Sequence, residues 1–281
     1  MRGSGRLLVL VLLAAQAIAA RGQNAKALVQ QNAKALVQQN AKELVQLAVQ
    51  TELAASRDDH SRWLYYEIDR KPGSTVEQWV AETGAGSIRR VIRENGQPLP
   101  LAEQRQRMDR FVQDTQAQAR QRKSGQHDDK QAAEMLRLLP GAFVWTITGA
   151  NGNSTMLHFR PDPNFEPPGW ETRVFAAMEG DMEVDNRQHR IVSLKGRLIH
   201  SVKFFFGLFG NLKSGGTFDV ERRETGPSIW QITATHVHIQ GTALLFKNIS
   251  QIEDDEKTQF KPLPADITLP QAEIELLKQG E

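Results

Sequence analysis

The chain has 281 residues and no cysteine, and it carries 35 Lys and Arg residues against 33 Asp and Glu residues. The missing cysteine excludes disulfides, thiol catalysis and the lipid-anchored lipoproteins that need a lipobox cysteine. The even charge balance lacks the clustered basic excess that nucleic-acid binding requires. The length allows one large domain or two small ones.

The N-terminus has the pattern of a secretory signal peptide. Arg2 and Arg6 precede an apolar run from Leu7 that closes on Ala17-Ile18-Ala19. A basic start, a short apolar run and a small-x-small end are typical of cleavable export signals. The run is too short to span a bilayer comfortably. We therefore expect residues 1–19 to be a signal peptide and the mature chain to be periplasmic or secreted, with no transmembrane span.

An octet repeat follows this segment. Asn24–Gln31 and Asn32–Gln39 are identical, and Asn40–Leu47 is a drifted third copy. Eight residues advance a helix by about 80° beyond two turns, so the Leu-Val pairs do not form one stripe. We expect residues 20–56 to be a helical N-terminal segment with exposed repeats. The alternative is an extension that docks a partner.

Residues 57–281 are predicted to form one α+β domain around an antiparallel sheet. Asn95-Gly96 and Asn151-Gly152 are strong hairpin signals. A helical insertion is expected at 98–139, as two helices separated at Gly125–Asp129 and stopped by Pro140-Gly141. The predicted strands are Trp63–Ile68, Thr75–Thr83, Ser87–Glu94, Phe143–Thr148, Thr155–Phe159, Ala176–Asp185, Arg190–Ser201, Gly216–Glu224, Ile229–Gln240 and Thr242–Glu253, followed by a closing helix at Leu269–Lys278.

Two groups of polar residues are candidates for chemistry. Carboxylates alternate along one strand, so period two places them on one sheet face; they are Glu179, Asp181, Glu183 and Asp185. We interpret them as a solvated face paired with Lys195 and Arg197 on the returning strand, the alternative being a cation site. His236 and His238 share a strand face and leave open a metal-dependent hydrolase. The sequence has no nucleophile elbow, P-loop, dinucleotide fingerprint or zincin motif.

The segment Lys203–Leu212 is rich in phenylalanine and contains two glycines. One interpretation is ordinary core packing, and another is a hydrophobic lip against a membrane. The functional interpretation is an apolar wall of a cavity for a lipid-like ligand. The candidate ligand-binding residues are Phe204, Phe206, Phe209 and Leu212.

Gly180–Asp185 followed by His189–Leu194 resembles a hairpin of the LolA/LolB/RseB superfamily, whose members handle lipoproteins or sense envelope stress. Trp63–Leu277 also resembles a set of uncharacterised exported acidobacterial proteins, in which Phe159–Phe165 and Gly215–Phe218 look like recurring segments. The superfamily resemblance implies a curled antiparallel β-sheet, an incomplete β-barrel whose open side is covered by helices. It further implies an apolar interior that receives acyl chains, and no enzyme activity.

The expected function is therefore an exported, non-enzymatic carrier that binds a lipid or a lipidated protein of the cell envelope, without a cofactor or a metal. The alternative is a periplasmic sensor or scaffold that binds a protein partner, as RseB-like proteins do. In that case the octet repeats or the 98–139 insertion would form the contact surface.

Overall fold

The computed structural model describes residues 38–169, 171–204, 210–239, 241–243 and 252–280. The helices are α1 (38–58), α2 (Leu101–Gln113), α3 (Thr115–Ala142) and α4 (Leu269–Leu277), with a 3₁₀ helix at Glu171–Ala177. The strands are β1 (Arg62–Lys71), β2 (Ser74–Thr83), β3 (Gly86–Glu94), β4 (Gln97–Pro98), β5 (Phe143–Asn151), β6 (Ser154–Pro161), β7 (Met178–Asp185), β8 (Ile191–Leu198), β9 (Val202–Phe204), β10 (Gly210–Leu212), β11 (Thr217–Gly226), β12 (Ile229–His238), β13 (Gly241–Ala243) and β14 (Ile252–Leu263).

Eleven strands form one open antiparallel sheet in the order β4-β3-β2-β1-β14-β12-β11-β8-β7-β6-β5. Two consecutive runs of strands, β1 to β4 and β5 to β8, lie at the two ends. The late strand β14 pairs with β1 on one side and β12 on the other, so it joins the two halves. A small second sheet has the order β13-β10-β9.

The face of the sheet that packs against α1 is called the α1 face. Ala41, Val45, Ala48 and Val49 of α1 are buried against the aromatic and aliphatic side chains of β5 to β8. These four residues recur at helical spacing, which gives α1 one apolar stripe. Their sheet partners include Phe143, Trp145, Leu157, Phe159, Met182 and Val184.

The opposite face is called the α2 face, because α2 and α4 cover it over β1 to β3. Met108 of α2 and Leu276 of α4 are fully buried against Leu64, Trp79, Ala81 and Ile88. Buried Arg90 holds this layer together. Its guanidinium donates to the Gln104 side chain of α2 at 2.7 Å and to the Leu276 and Gln279 carbonyls at the end of α4 at 3.0 and 2.7 Å.

The helix α3 connects the two ends of the sheet. Near its start, the Gln121 amide bonds both backbone groups of Ser87 on β3, at 2.7 and 3.1 Å. Near its end, the Leu139 carbonyl accepts from the Trp145 indole of β5 at 3.2 Å. Along α3, the contact residues Gln121 and Leu139 are about 27 Å apart. Nine strand spacings separate β3 from β5, and in a flat sheet they would measure about 43 Å. The sheet is therefore curled.

The α+β class and the open, curled antiparallel sheet are confirmed, as are both Asn-Gly hairpins. The predicted break at Gly125–Asp129 is wrong, because α3 runs through it. The helices separate instead at Asp114, whose side chain accepts from the Ala117 amide at 2.8 Å and caps α3. The strand predicted at Thr242–Glu253 stays a prediction over most of its length. β13 ends at Ala243, β14 begins at Ile252, and residues 244–251 lie outside the described residues.

The predicted signal peptide, the first octet and the second octet up to Val37 lie outside the described residues. The third octet, Asn40–Leu47, lies in α1. Its expected exposure is wrong for Ala41 and Val45, which are fully buried, because α1 is part of the core. Across the part of the chain that the structure describes, no helix has both the length and the apolarity needed to cross a membrane.

Candidate functional site

The predicted ligand-binding residues belong to the small sheet. Phe204 ends β9, and Leu212 lies in β10, which pairs antiparallel with β9. Leu212 is buried with Ala177, Leu198 and Val202. Phe206 and Phe209 lie outside the described residues, in the 205–209 connection between β9 and β10.

This small apolar cluster continues the core of the α1 face. Val174 and Met178 pack against both the small cluster and the main cluster beneath α1. The small sheet is tied to the end of β8 through hydrogen bonds of Leu198 with Gly216 and Gly215. The strands β9 and β10, which flank the Phe-rich segment in the sequence, therefore extend the apolar layer of the α1 face.

A second aromatic group lies on the α1 face over β1 and β14. Trp63 and Tyr65 pack with Phe260, with ring centroids 6.2 and 5.3 Å from it. Val80 and Ile229 complete the cluster, and Val80 is fully buried. Because Tyr65 alternates with Glu67 and Asp69 along β1, this group borders charged side chains on the same face.

Those charged side chains form a buried group that the sequence analysis missed. Lys257 of β14 directly faces Glu67 of β1, and Asp255 directly faces Asp69. The Lys257 ammonium lies 3.2 Å from the Asp255 carboxylate and 3.7 Å from Glu67, and Gln78 donates to Glu67 at 2.5 Å. In the sequence, the signal for this buried group was the alternation of Glu67 and Asp69 in β1, a strand rich in aromatic residues.

Burial changes the acidity of this group. It raises the pKa of Asp255 to about 6, although neighbouring Lys257 acts in the opposite direction. It also raises the pKa of Glu82, whose carboxylate accepts from the Trp63 amide at 3.1 Å. Below about pH 6 the protonated Asp255 carboxyl can donate a hydrogen bond, so this part of the α1 face combines polar groups with apolar ones.

The acidic stripe and the histidine pair come together on the α2 face, beyond the area that α2 and α4 cover. The register places His158, Asp181, Lys195, Asp219, His236 and Asp254 in one row across six neighbouring strands. All of these side chains except that of Asp254 line an open depression of about 670 Å³. The sequence indicated the two groups separately, but only the strand order β12-β11-β8-β7 shows that they adjoin.

The expected pairing across the β7–β8 hairpin is correct for one pair and wrong for the other. Arg197 lies opposite Glu179 and contacts it at 2.6 Å. Lys195 lies opposite Asp181 but instead contacts Asp219 at 3.0 Å and Glu221 at 2.8 Å on β11. Strand β8 has a neighbour on each side, and the hairpin pattern gives only one of them.

Asp185 leaves the stripe altogether. The register shifts between Glu183 and Val184, and the Asp185 carboxylate is buried at the turn that follows. It accepts from the amides of Arg187 and Gln188 at 3.0 and 2.7 Å. Its role is to hold the β7–β8 turn, which the alternation of residues alone did not indicate.

The two histidines share one carboxylate oxygen. Asp254 Oδ1 lies 3.0 Å from His236 Nδ1 and 2.9 Å from His238 Nε2. On β6, His158 Nδ1 lies 2.9 Å from Asp181 Oδ1. The hydrogen bonds from His238 and His236 lower the pKa of Asp254, against the smaller effect of burial. Over the described ranges, no group of three or more His, Cys, Asp or Glu side chains is arranged to hold a metal ion.

These contacts make the depression an array of hydrogen-bonded charged side chains. Comparisons of this chain with protein-family models, with curated protein sequences and with solved structures found no match in any of the three.

Proposed function

We propose that the protein is an exported, non-enzymatic carrier that binds a lipid or a lipidated protein of the cell envelope. The observation that carries this proposal is an apolar cluster of Ala177, Leu198, Val202 and Leu212 at strands β9 and β10, which flank the Phe-rich segment in the sequence. This cluster shares Val174 and Met178 with the main core cluster beneath α1, so the two form one continuous apolar layer. A phenylalanine-rich connection next to such a layer suits the entry of an acyl chain.

The α1 face supports the same function. Its aromatic group forms an apolar wall in which Trp63 and Tyr65 are buried and Phe260 is half-buried, and the Glu67–Lys257 group beside it supplies polar side chains. Ligand sites of carriers combine a mainly apolar wall with a few polar groups that orient the ligand. A lipid has both parts, an acyl chain and a polar headgroup.

The first test is native mass spectrometry of protein purified from the periplasm of an expressing bacterium, followed by lipid extraction. The expected result is an added mass that extracts as a phospholipid or another acyl species. A bare polypeptide mass, together with no binding of a fluorescent fatty acid in titration, would contradict the carrier function.

A matched pair of variants localises the site. Phe206→Asp should reduce binding of the fluorescent fatty acid by about tenfold or more, because a charge on the entry segment opposes an acyl chain. Ile274→Asp, at an exposed position of α4, should leave binding unchanged. Thermal melts of both variants check that the fold survives. Equal binding by Phe206→Asp and the unmodified protein would exclude this segment.

A partner-binding scaffold is the second candidate, and α3 favours it. Residues 123–132 of this helix are all exposed, although both ends of the helix are anchored. A polar helix that runs free of the sheet is available to another protein. Replacing Lys123, Asp128 and Lys130 with alanine should abolish partner capture from envelope extracts while fatty-acid binding persists. Partner capture that persists in this variant would contradict the scaffold function.

A further inference from the structure

The two ends of the eleven-stranded sheet differ in how their outer edges are protected. At one end, the short strand β4 pairs with β3, and Pro98 of β4 has no amide to offer to a further strand. The Gln121 side chain bonds both backbone groups of Ser87 on β3. The Leu99 amide donates to the Ile92 carbonyl of the same strand at 2.8 Å. These bonds occupy backbone groups of β3 that another chain would need for pairing.

The other end of the sheet is the strand β5, and the second half of its edge is open. The strand order ends at β5, with β6 as its neighbour, and residues 147–151 are all exposed. Among the described residues, no hydrogen bond joins the backbone of this segment to anything except β6. A Cβ at Gly149 would meet nothing within 4 Å, so the face of the sheet is open there as well. Such an edge presents unpaired N–H and C=O groups to another strand.

The strand β5 also lacks the side chains that usually protect an edge. Phe143–Asn151 contains no charged residue and no proline, which are the common devices against edge-to-edge pairing. Ile147 is 37% exposed, and a further strand would cover it. A bulge between Ile147 and Gly149 bends the strand. Because a bulge disrupts the ladder locally, it limits any pairing to a short stretch.

We propose that residues 147–151 of β5 pair antiparallel with the same segment of a second copy of this chain, which makes a two-fold dimer. An uncharged strand places no like charges opposite each other when it pairs with itself. Contact between like edges closes after two copies, whereas a contact between β5 and β3 would continue as a filament. The protected β3 edge therefore favours the closed dimer. The proposal does not rest on the carrier function, because it uses backbone groups at a sheet edge rather than an apolar interior.

The pairing has a simple geometry in the register centred on Gly149. Residues 147–151 of the two copies then face each other over about 17 Å of strand. Ala150 lies opposite Thr148 of the other copy, so the two Ala150 side chains are diagonal neighbours about 8 Å apart. A charge at position 150 would therefore act on its own copy across the two-fold axis.

The first test is sedimentation velocity of the purified protein at concentrations from about 1 to 100 µM. We expect a monomer–dimer equilibrium within this range and no larger species. A protein that stays monomeric up to about 100 µM, or one that forms open-ended assemblies, would overturn the proposal.

Hydrogen exchange at the two ends of this concentration range locates the contact. Residues 147–151 should gain protection as the dimer forms, because their outward amides become hydrogen-bonded. The segment Ser87–Glu94 on the protected β3 edge should exchange equally at both concentrations. A dimer without added protection in residues 147–151 would have its contact elsewhere and would contradict the proposal.

Matched variants test the self-pairing itself at low ionic strength. Ala150→Lys and Ala150→Glu should each weaken the dimer about fivefold or more, because like charges then lie on facing strands. An equimolar mixture of the two variants should dimerise again, which a misfolded protein would not do. Ile274→Lys, at an exposed position of α4, is the control and should leave the dimer unchanged. An undiminished dimer in Ala150→Lys, or no recovery in the mixture, would contradict the proposal.

Discussion

Asp254 and Asp255 are adjacent on β14, yet their side chains lie on opposite faces of the sheet. The hydrogen bonds of the two β12 histidines lower the pKa of Asp254 on the α2 face. Burial raises the pKa of Asp255 to about 6 on the α1 face, where it lies opposite Asp69. Period-two alternation thus places identical residues in environments that favour opposite protonation states.

The raised pKa of Asp255 predicts a pH-dependent stability. The folded state holds this proton more tightly than the unfolded chain, whose Asp has a pKa near 3.8. The contribution is therefore fully present below about pH 4 and is lost as the pH rises through about 6, by about 2 kcal/mol after allowance for partial exposure. Asp255→Asn should remove this dependence. Urea unfolding at several pH values measures the difference between the two proteins, and a difference that stays constant with pH would contradict the assignment.

Glu52 of α1 forms a buried ion cluster with Arg190 and Arg222. Its carboxylate lies 3.0 Å from the Arg190 guanidinium and 2.5 Å from that of Arg222, and it accepts the Ile191 amide at 2.8 Å. Burial acts to raise the pKa of Glu52, but the two guanidinium groups lower it below the ordinary value. The cluster fixes α1 to β8 and β11.

Glu52→Gln should destabilise the fold by about 3–5 kcal/mol, because it leaves two guanidinium groups buried without their counter-charge. Glu43→Gln, at an exposed position of the same helix, is the matched control and should change the free energy of unfolding by about 0.5 kcal/mol or less. Denaturant titration gives both values. Similar values for the two variants would mean that the buried cluster contributes little.

At the scale of elements, short sequence motifs predicted the turns between neighbouring strands. Asn95-Gly96 and Asn151-Gly152 each mark a hairpin, since Asn95, Gly96 and Gly152 have the positive φ that such turns require. Pairings between distant segments, such as β8 with β11, set the contacts of Lys195 and join the histidines to the acidic stripe. No local pattern specifies that strand order, so the row of histidines and charged residues on the α2 face could be predicted only in pieces.

The incorrect prediction of a helix break at Gly125 has an energetic explanation, and this explanation can be tested. Glycine inside a helix costs only about 1 kcal/mol relative to alanine, which a helix anchored at both ends tolerates. A Cβ at Gly125 would meet nothing within 4 Å, so Gly125→Ala should stabilise the protein by about 0.5–1 kcal/mol.

Gly180→Ala is the opposite case, because its Cβ would collide with the Lys195 carbonyl and the Phe159 ring. It should destabilise the protein by more than about 2 kcal/mol. Thermal melts distinguish the two signs, and destabilisation by Gly125→Ala would indicate that the middle of α3 needs a glycine for another reason.

At the scale of the whole molecule, β14 is the strand that makes one sheet out of two parts. The β1–β4 run and the β5–β12 part meet through it, and its partner β1 lies nearly two hundred residues earlier in the chain, as the Ile68–Glu256 pair shows. Contacts of such sequence separation form late, because loop closure costs entropy before pairing compensates for it. The molecule therefore depends on β14 to fold as one unit.

Glu256 lies in the middle of this strand, between Ile68 of β1 and Ala234 of β12. Glu256→Pro removes an amide from one of the two ladders and should cost about 3 kcal/mol or more, whereas Glu256→Thr keeps the amide and suits a strand. Hydrogen exchange read by mass spectrometry should show β2 and β6 losing protection together in Glu256→Pro. Both strands should retain their protection in Glu256→Thr. The reason is that both parts of the sheet rely on the same central pairing. Protection retained in β6 while β2 exchanges freely would instead show two parts that are stable independently of the strand between them.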